Sequence, residues 1–249
     1  MKKGKMNFEL LERIKINYKR GGFSHIFRTG SKFLFYKYIK RPKIFVFQGH
    51  TYHYFYHWYN TTWKNERCVE IPIIMNIINS SKGKRILEVG NVLSHYFPTK
   101  HNILDKYENA PGVINQDVVN FQPSYRYDHI VSISTLEHVG WDEKPRDSRK
   151  ILRAMENLKS LLTSQGKIVV TFPLGYNPNM DRLFKQGKLF FDQQFYLTKI
   201  SPNEWREFAQ EDVVNTRYDK FKLIANCLVI GIFEKDNKKR GMGSRTIIQ

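Results

Sequence analysis

Cysteine is almost missing from this chain: its 249 residues hold only Cys68 and Cys227, with no Cys-x-x-Cys pair and no Cys/His spacing of a zinc site. That excludes a disulfide scaffold and fits a reducing, cytoplasmic setting. Long hydrophobic runs are missing too, and no stretch approaches the roughly 20 apolar residues that span a bilayer. The opening MKKGKMNFELLERIKINYKR carries positive charge but neither an unbroken apolar core nor a small-residue cleavage site, so a secretory signal is not expected. Neither GxGxxG nor a P-loop is present, which counts against a nicotinamide-type dinucleotide fold and a nucleoside triphosphatase. Internal repeats and low-complexity segments are absent.

Acid is the scarce charge. Against 23 Asp and Glu stand 41 Lys and Arg, a formal net charge of +18. The excess is uneven, because residues 1–43 contain thirteen Lys and Arg and only Glu9 and Glu12. Such a field favours polyanions: nucleic acid, anionic lipid headgroups or phosphorylated molecules. The rest of the composition is that of a folded globular protein, with 41% hydrophobic and 14% aromatic residues.

The order of elements is legible from periodicity. KIFVFQGHTYHYFYHWYNTTW is rich in aromatic and β-branched residues and predicts a hairpin turned at Gln48-Gly49; ERCVEIPIIMNIINSSKGK predicts a helix ending before Gly83. From Arg85 come four short apolar strands, in RILEVG, NILD, GVINQD and YDHIVSIS, with a first crossover so short and so interrupted by Pro98 that its helix is reduced to a turn. A helix follows with Ile151, Ala154, Leu158, Leu161 and Leu162 on one face and Gly166 as its left-handed stop, then a fifth strand in GKIVVTFP. The C-terminal part reads as a polar insertion, a helix around SPNEWREFAQ, and strands in FKLIAN and CLVIGIFEK. Alternating short strands and helices imply a parallel sheet covered on both faces, with its ligand crevice at the strands' carboxyl ends.

Chemistry-bearing residues fall at those ends. Ile86-Leu87-Glu88-Val89-Gly90-Asn91 closes a strand with an acid and a glycine; Asp105 and Asp117 close the next two; Ser134 and the pair Glu137-His138 follow the fourth. In this order the segments resemble the motifs of class I S-adenosylmethionine-dependent methyltransferases, in particular the small-molecule type 11-like branch, over residues 83–175. The resemblance implies a Rossmann-like α/β fold with a mostly parallel seven-stranded sheet and a C-terminal antiparallel hairpin. It implies S-adenosylmethionine as cofactor, with Glu88 and Gly90 near its methionine part, Asp105 on ribose, Asp117 on adenine and Ser134 alongside. His138 is then the candidate base, with Glu137 beside it, since histidine titrates near neutrality. The pattern departs from the family at Val92 and Ser94, which stand where further glycines are usual.

Three units are expected: a basic, aromatic extension over 1–66 serving as lid or membrane contact, a methyltransferase domain over 67–235, and a basic tail over 236–249. The acceptor implied by the motif wording is a small molecule, a sugar or a lipid-linked glycan, and the basic extension suits the inner face of an anionic membrane. Two rivals stand beside this reading. One is an RNA-directed methyltransferase, drawn from charge alone, and the other is a non-catalytic binding protein on a degenerate methyltransferase fold. No metal is expected: His50, His53 and His57 lie in strand-like sequence without accompanying carboxylates.

Overall fold

The computed structural model describes residues 30–32, 34–39, 44–201, 204–213, 218–219 and 224–236. Most of the basic extension, the tail after 236 and Phe221, Lys222 and Leu223 of FKLIAN lie outside the described residues; Ile224, where a strand was expected, makes an isolated bridge to Asp219. Among the described residues, no helix is long and apolar enough to cross a membrane.

Strands β1 (Ile44–Phe47) and β2 (His50–His53) form the expected hairpin. Gln48 and Gly49 both have positive φ, 49° and 73°, the backbone that a tight two-residue hairpin turn requires. Phe45 and Phe47 point inward while Ile44 and Val46 face solvent, and Phe47 meets Phe195 edge-on at 5.5 Å. The hairpin is thereby part of the core and not a free arm.

Helix α1 (Arg67–Ser80) follows, with Pro72 inside it. Proline has no N–H to give the carbonyl four residues back. That carbonyl, of Cys68, instead accepts the N–H of Phe55 at 2.9 Å. An interruption of the helix thus fastens the segment that precedes it.

Next come β3 (Ile86–Val89), β4 (Asn102–Leu104), β5 (Val113–Ile114) and β6 (Tyr127–Ile133), then α2 (Lys150–Ser160), β7 (Leu162–Pro173), α3 (Pro178–Lys185), β8 (Gln193–Ser201), β9 (Glu204–Phe208) and β10 (Cys227–Glu234). The link between β3 and β4 is only a 3-10 turn, Leu93–His95, as the short Pro98-containing interval implied. The main sheet has the order β5-β4-β3-β6-β7-β10-β8-β9. Its first five strands are mutually parallel; β10 runs antiparallel to both β7 and β8.

Alternation on the strands sends side chains to two cores. Leu87, Val89, Ile130, Ile168, Val170 and Phe172 pack with α2 and α3. Ile86, Val131, Ile133 and Val169 pack on the other face with α1 and the hairpin. Helix α2 buries Ile151, Ala154, Met155 and Leu158, close to the predicted face.

Three expectations change. The sheet has eight strands where seven were expected. SPNEWREFAQ contributes the additional strand β9 and not a helix: Trp205 is buried while Arg206 is exposed, a two-residue alternation, and the Trp205 N–H donates to the Tyr54 hydroxyl at 2.9 Å. Gly166 does not stop α2, which ends at Ser160. It lies inside β7, where a Cβ would sit 2.9 Å from the Leu162 side chain and 3.0 Å from the Tyr127 carbonyl oxygen.

Candidate functional site

A cavity of about 440 Å³ opens at the carboxyl ends of β3, β4 and β5 and beside the turn after β6. Of the residues singled out in the sequence, Gly90, Asp105, Asp117 and His138 line it; Glu88, Ser134 and Glu137 do not. Each placement has a local cause.

Glu88 alternates with Leu87 and Val89 and so faces away from their core. Fully buried, it accepts the N–H groups of Val92 (2.9 Å) and Leu93 (2.8 Å) at Oε1 and meets His101 Nε2 at 2.7 Å through Oε2. It holds the turn after β3. Gly90 has φ of 90°, and a Cβ there would fall 2.1 Å from Thr135 Oγ1. Glycine is required because the turns after β3 and β6 press together beside the cavity.

Asp105 orients the floor. Its Oδ1 accepts the N–H groups of Tyr107 and Glu108, both at 2.8 Å, and its Oδ2 accepts that of Asn91 at 3.1 Å. The Asn91 side-chain amide in turn donates to Glu108 at 2.8 Å, and His95 meets the same carboxylate at 3.2 Å. Asp117 is bound by Lys150 at 2.6 Å and Lys106 at 2.9 Å, and both lysines also reach Glu143. Burial pushes the Asp117 carboxyl up, but the two ammonium groups outweigh it and hold the group at about 2.

The lining as a whole is acidic. Asp105, Glu108, Asp117, Asp142 and Glu143 face the cavity against a single lysine, Lys106. In a chain of net charge +18 this is a local reversal of sign.

No family model matches the chain, and no curated protein does. Among solved structures it is similar to the N-methyltransferase NodS of Bradyrhizobium japonicum WM9 in complex with S-adenosylhomocysteine, at 13% identity and a TM-score of 0.39, over 65% of this chain and 83% of that one. It is similar also to magnesium protoporphyrin IX methyltransferase of Synechocystis PCC 6803 with bound S-adenosylmethionine, at 10% identity and a TM-score of 0.34, over 64% of this chain and 76% of that one. A Clostridium acetobutylicum S-adenosylmethionine-dependent methyltransferase gives 12%, 0.34, 65% and 88%. What decides the architecture is the sheet itself, three parallel strands stepping outward from β3, two on its other side, and the late strand β10 inserted antiparallel beside β7. The chain has a Rossmann-like α/β fold, with a mostly parallel sheet and antiparallel C-terminal strands.

In this fold the turn after β6 carries more than the sequence disclosed. His138 is bonded through Nδ1 to Asp142, and the Tyr176 hydroxyl donates to the same Asp142 carboxylate at 2.6 Å. The Tyr176 ring stands 4.8 Å from that of His138. Burial raises the Asp142 carboxyl, yet the His138 and Tyr176 hydrogen bonds outweigh it and leave it below the usual range. With its Nδ1–H given to Asp142, His138 keeps Nε2 as the basic nitrogen. The spacing of His138 and Asp142, four residues apart, was the one signal of this dyad in the sequence; Tyr176 gave none.

Ser134 has a positive φ of 35° and turns its hydroxyl to Glu70 of α1, and Glu137 is 2% exposed. Both adjoin a second group of side chains, at the start of α1, that sequence reasoning missed. The available signal was Glu66, Arg67 and Glu70 at the start of an otherwise apolar helix.

Proposed function

We propose that the chain is an S-adenosylmethionine-dependent methyltransferase acting on a small-molecule, sugar or lipid-linked glycan acceptor. The observation that carries this reading is the acidic cavity at the carboxyl ends of β3 and β4. Five carboxylates against Lys106 and the adjoining Lys150 leave the lining acidic, which suits a cofactor bearing a sulfonium, an ammonium and hydroxyl groups and opposes a pyrophosphate or a nucleic-acid phosphate.

Hydrogen-bond capacity refines the residue roles. A carboxylate offers about four acceptor positions, and three backbone N–H groups already occupy Asp105, leaving room at Oδ2. Asp105 therefore takes one ribose hydroxyl and Glu108, its neighbour across Asn91, takes the other. Asp117, already held by two lysines, accepts the adenine amine as a further donor. Glu88 and Ser134 act indirectly, by shaping the turns after β3 and β6.

When bound, the cofactor supplies a methyl group already activated for transfer. The chain's part is to orient the acceptor, exclude water and accept the proton that the acceptor loses. His138 takes that proton at Nε2, while Asp142 and Tyr176 fix the ring. Cytoplasmic placement, with the basic segment resting on anionic lipid, belongs to the same proposal.

Calorimetry with S-adenosylhomocysteine tests it. Micromolar binding by the intact protein, lost in Asp105→Ala, is the expected result. No binding by the well-folded protein overturns it and favours the degenerate, non-catalytic reading, for which Val92 and Ser94 in place of glycines are the supporting feature.

A further inference from the structure

Beside the cavity, the turn after β6 borders a cluster of three buried carboxylates and one guanidinium. Glu66, Glu70 and Glu137 are 9%, 0% and 2% exposed. Arg67 and Glu70 answer one another: Nη1 donates to Glu70 Oε2 at 2.8 Å and to the Ile133 carbonyl at 3.0 Å, and Glu70 Oε1 accepts the hydroxyls of Ser134 and Thr171. That pair is complete.

The other two acids are not. Glu66 accepts the Ala225 N–H at 3.3 Å, a long bond for so buried a carboxyl. Glu137 is poorer still: its Oε1 lies 3.8 Å from His138 Nε2, and its Oε2, fully buried, has no hydrogen-bond partner among the described residues. An unpartnered buried acceptor costs free energy that a native fold normally avoids, and such a group commonly awaits a ligand. Burial, followed by the neighbouring Glu70, raises the Glu137 carboxyl well above the carboxylate range, and burial with Glu70 raises Glu66 as well.

The surroundings are aromatic. Tyr218 is close enough to Glu66 and Glu137 for both to raise its hydroxyl, after burial, to about 12. Its ring stands 5.2 Å from that of Tyr176, nearly perpendicular to it, and Tyr176 in turn borders His138 at the cavity wall. Buried carboxylates close to tyrosine hydroxyls and rings are the chemistry that selects a cation, through charge-assisted hydrogen bonds aided by the ring quadrupole.

We propose that this cluster is the recognition subsite for the methyl acceptor, and that it takes a cationic amine, whose ammonium is held by Glu137 and Glu66 against the rings of Tyr176 and Tyr218. The site's place beside His138 leaves the remainder of the acceptor directed toward the cavity. Arg67 is fully engaged with Glu70 and two carbonyls, so the acid in excess at Glu66 and Glu137 favours an added cation and not an anion. The assignment of this cation site to an acceptor rests on the methyl-transfer reading above.

The test is calorimetry with matched amine and alcohol pairs, namely tyramine with tyrosol, cyclohexylamine with cyclohexanol and glucosamine with glucose. Each is titrated with and without saturating S-adenosylhomocysteine and in buffers of differing ionisation enthalpy. At least one amine is expected to bind roughly tenfold or more tightly than its alcohol, the worth of one charge-assisted hydrogen bond, with release of a proton to the buffer. Glu137→Gln and Glu66→Gln, close in shape to the protonated acids, should each abolish the preference, and their S-adenosylhomocysteine affinity reports that they are folded. The proposal is overturned if no pair shows a preference, or if the preference survives in Glu137→Gln. Failure of S-adenosylhomocysteine to bind would overturn the cofactor reading alone, because the amine preference is also measured without it.

Discussion

Gly90 and Thr135 are in direct opposition: a methyl group at position 90 would lie 2.1 Å from the Thr135 hydroxyl oxygen and 2.8 Å from its Cβ. The backbone at Gly90 is also left-handed. Gly90→Ala should therefore lower stability by about 2–4 kcal/mol, combining backbone strain with overpacking. Thr135→Gly in the same chain should recover the steric part and not the strain. Urea unfolding of the two variants checks this, and an unchanged midpoint in Gly90→Ala would remove the close-packing account.

Under the proposed function Glu108 takes the second ribose hydroxyl, because backbone N–H groups already take most of the acceptor positions of Asp105. Glu108→Ala should weaken S-adenosylhomocysteine binding by roughly tenfold or more, the value of a hydrogen bond to a charged group. Titration calorimetry decides it. Wild-type affinity in the variant would return both hydroxyls to Asp105.

Asn177 fastens two elements at once. Its side-chain oxygen accepts the N–H groups of Asn179 and Met180, capping α3, while its amide donates to the buried Glu137 carbonyl at 2.7 Å. Loss of a cap costs about 1 kcal/mol and an orphaned buried carbonyl about 1–3 kcal/mol. Asn177→Ala should thus destabilise by about 2–3 kcal/mol, whereas Asn177→Asp, which keeps the cap but loses the amide, should fall between. Thermal unfolding separates the two contributions.

Asp181 supplies the pH dependence. Burial raises its carboxyl to about 6, against the partly compensating Gly175 N–H bond. From about pH 4, near the unfolded value, to about pH 6, the unfolded chain releases this proton and the folded chain keeps it. Stability from this group is accordingly greatest below that window and falls as pH rises through it, by on the order of 2–3 kcal/mol. Asp181→Asn should match wild type near pH 4 and exceed it in melting temperature at pH 7. A constant difference across the range would contradict the assignment.

The parallel half of the sheet was readable because β3, β6 and the apolar end of β7 are short, largely apolar segments buried on both faces, and strand ends are where Gly90, Asp105, Asp117 and His138 fall. β9 was misread because Ser201-Pro202 ahead of Glu204 mimics a helix start, while the deciding bond, from Trp205 to Tyr54, spans most of the chain. β8 was hidden by its polar positions, Gln193, Gln194 and Lys199 among them, in a strand whose buried residues are Tyr196 and Leu197. The Glu66–Glu70–Glu137 cluster was illegible for a related reason: its members come from α1 and the turn after β6, and only folding makes neighbours of them.

Pro72 makes the helix incomplete in a useful way. Since its ring can never claim the Cys68 carbonyl, that oxygen is reserved for Phe55. The reservation is written in the main chain, so no substitution at position 55 short of proline removes the donor. Restoring a donor at position 72 would instead set up a rivalry, with the helix and the aromatic segment before it competing for one oxygen. How firmly the aromatic segment before α1 is held is then governed from within α1, by a residue whose contribution is the bond it cannot make.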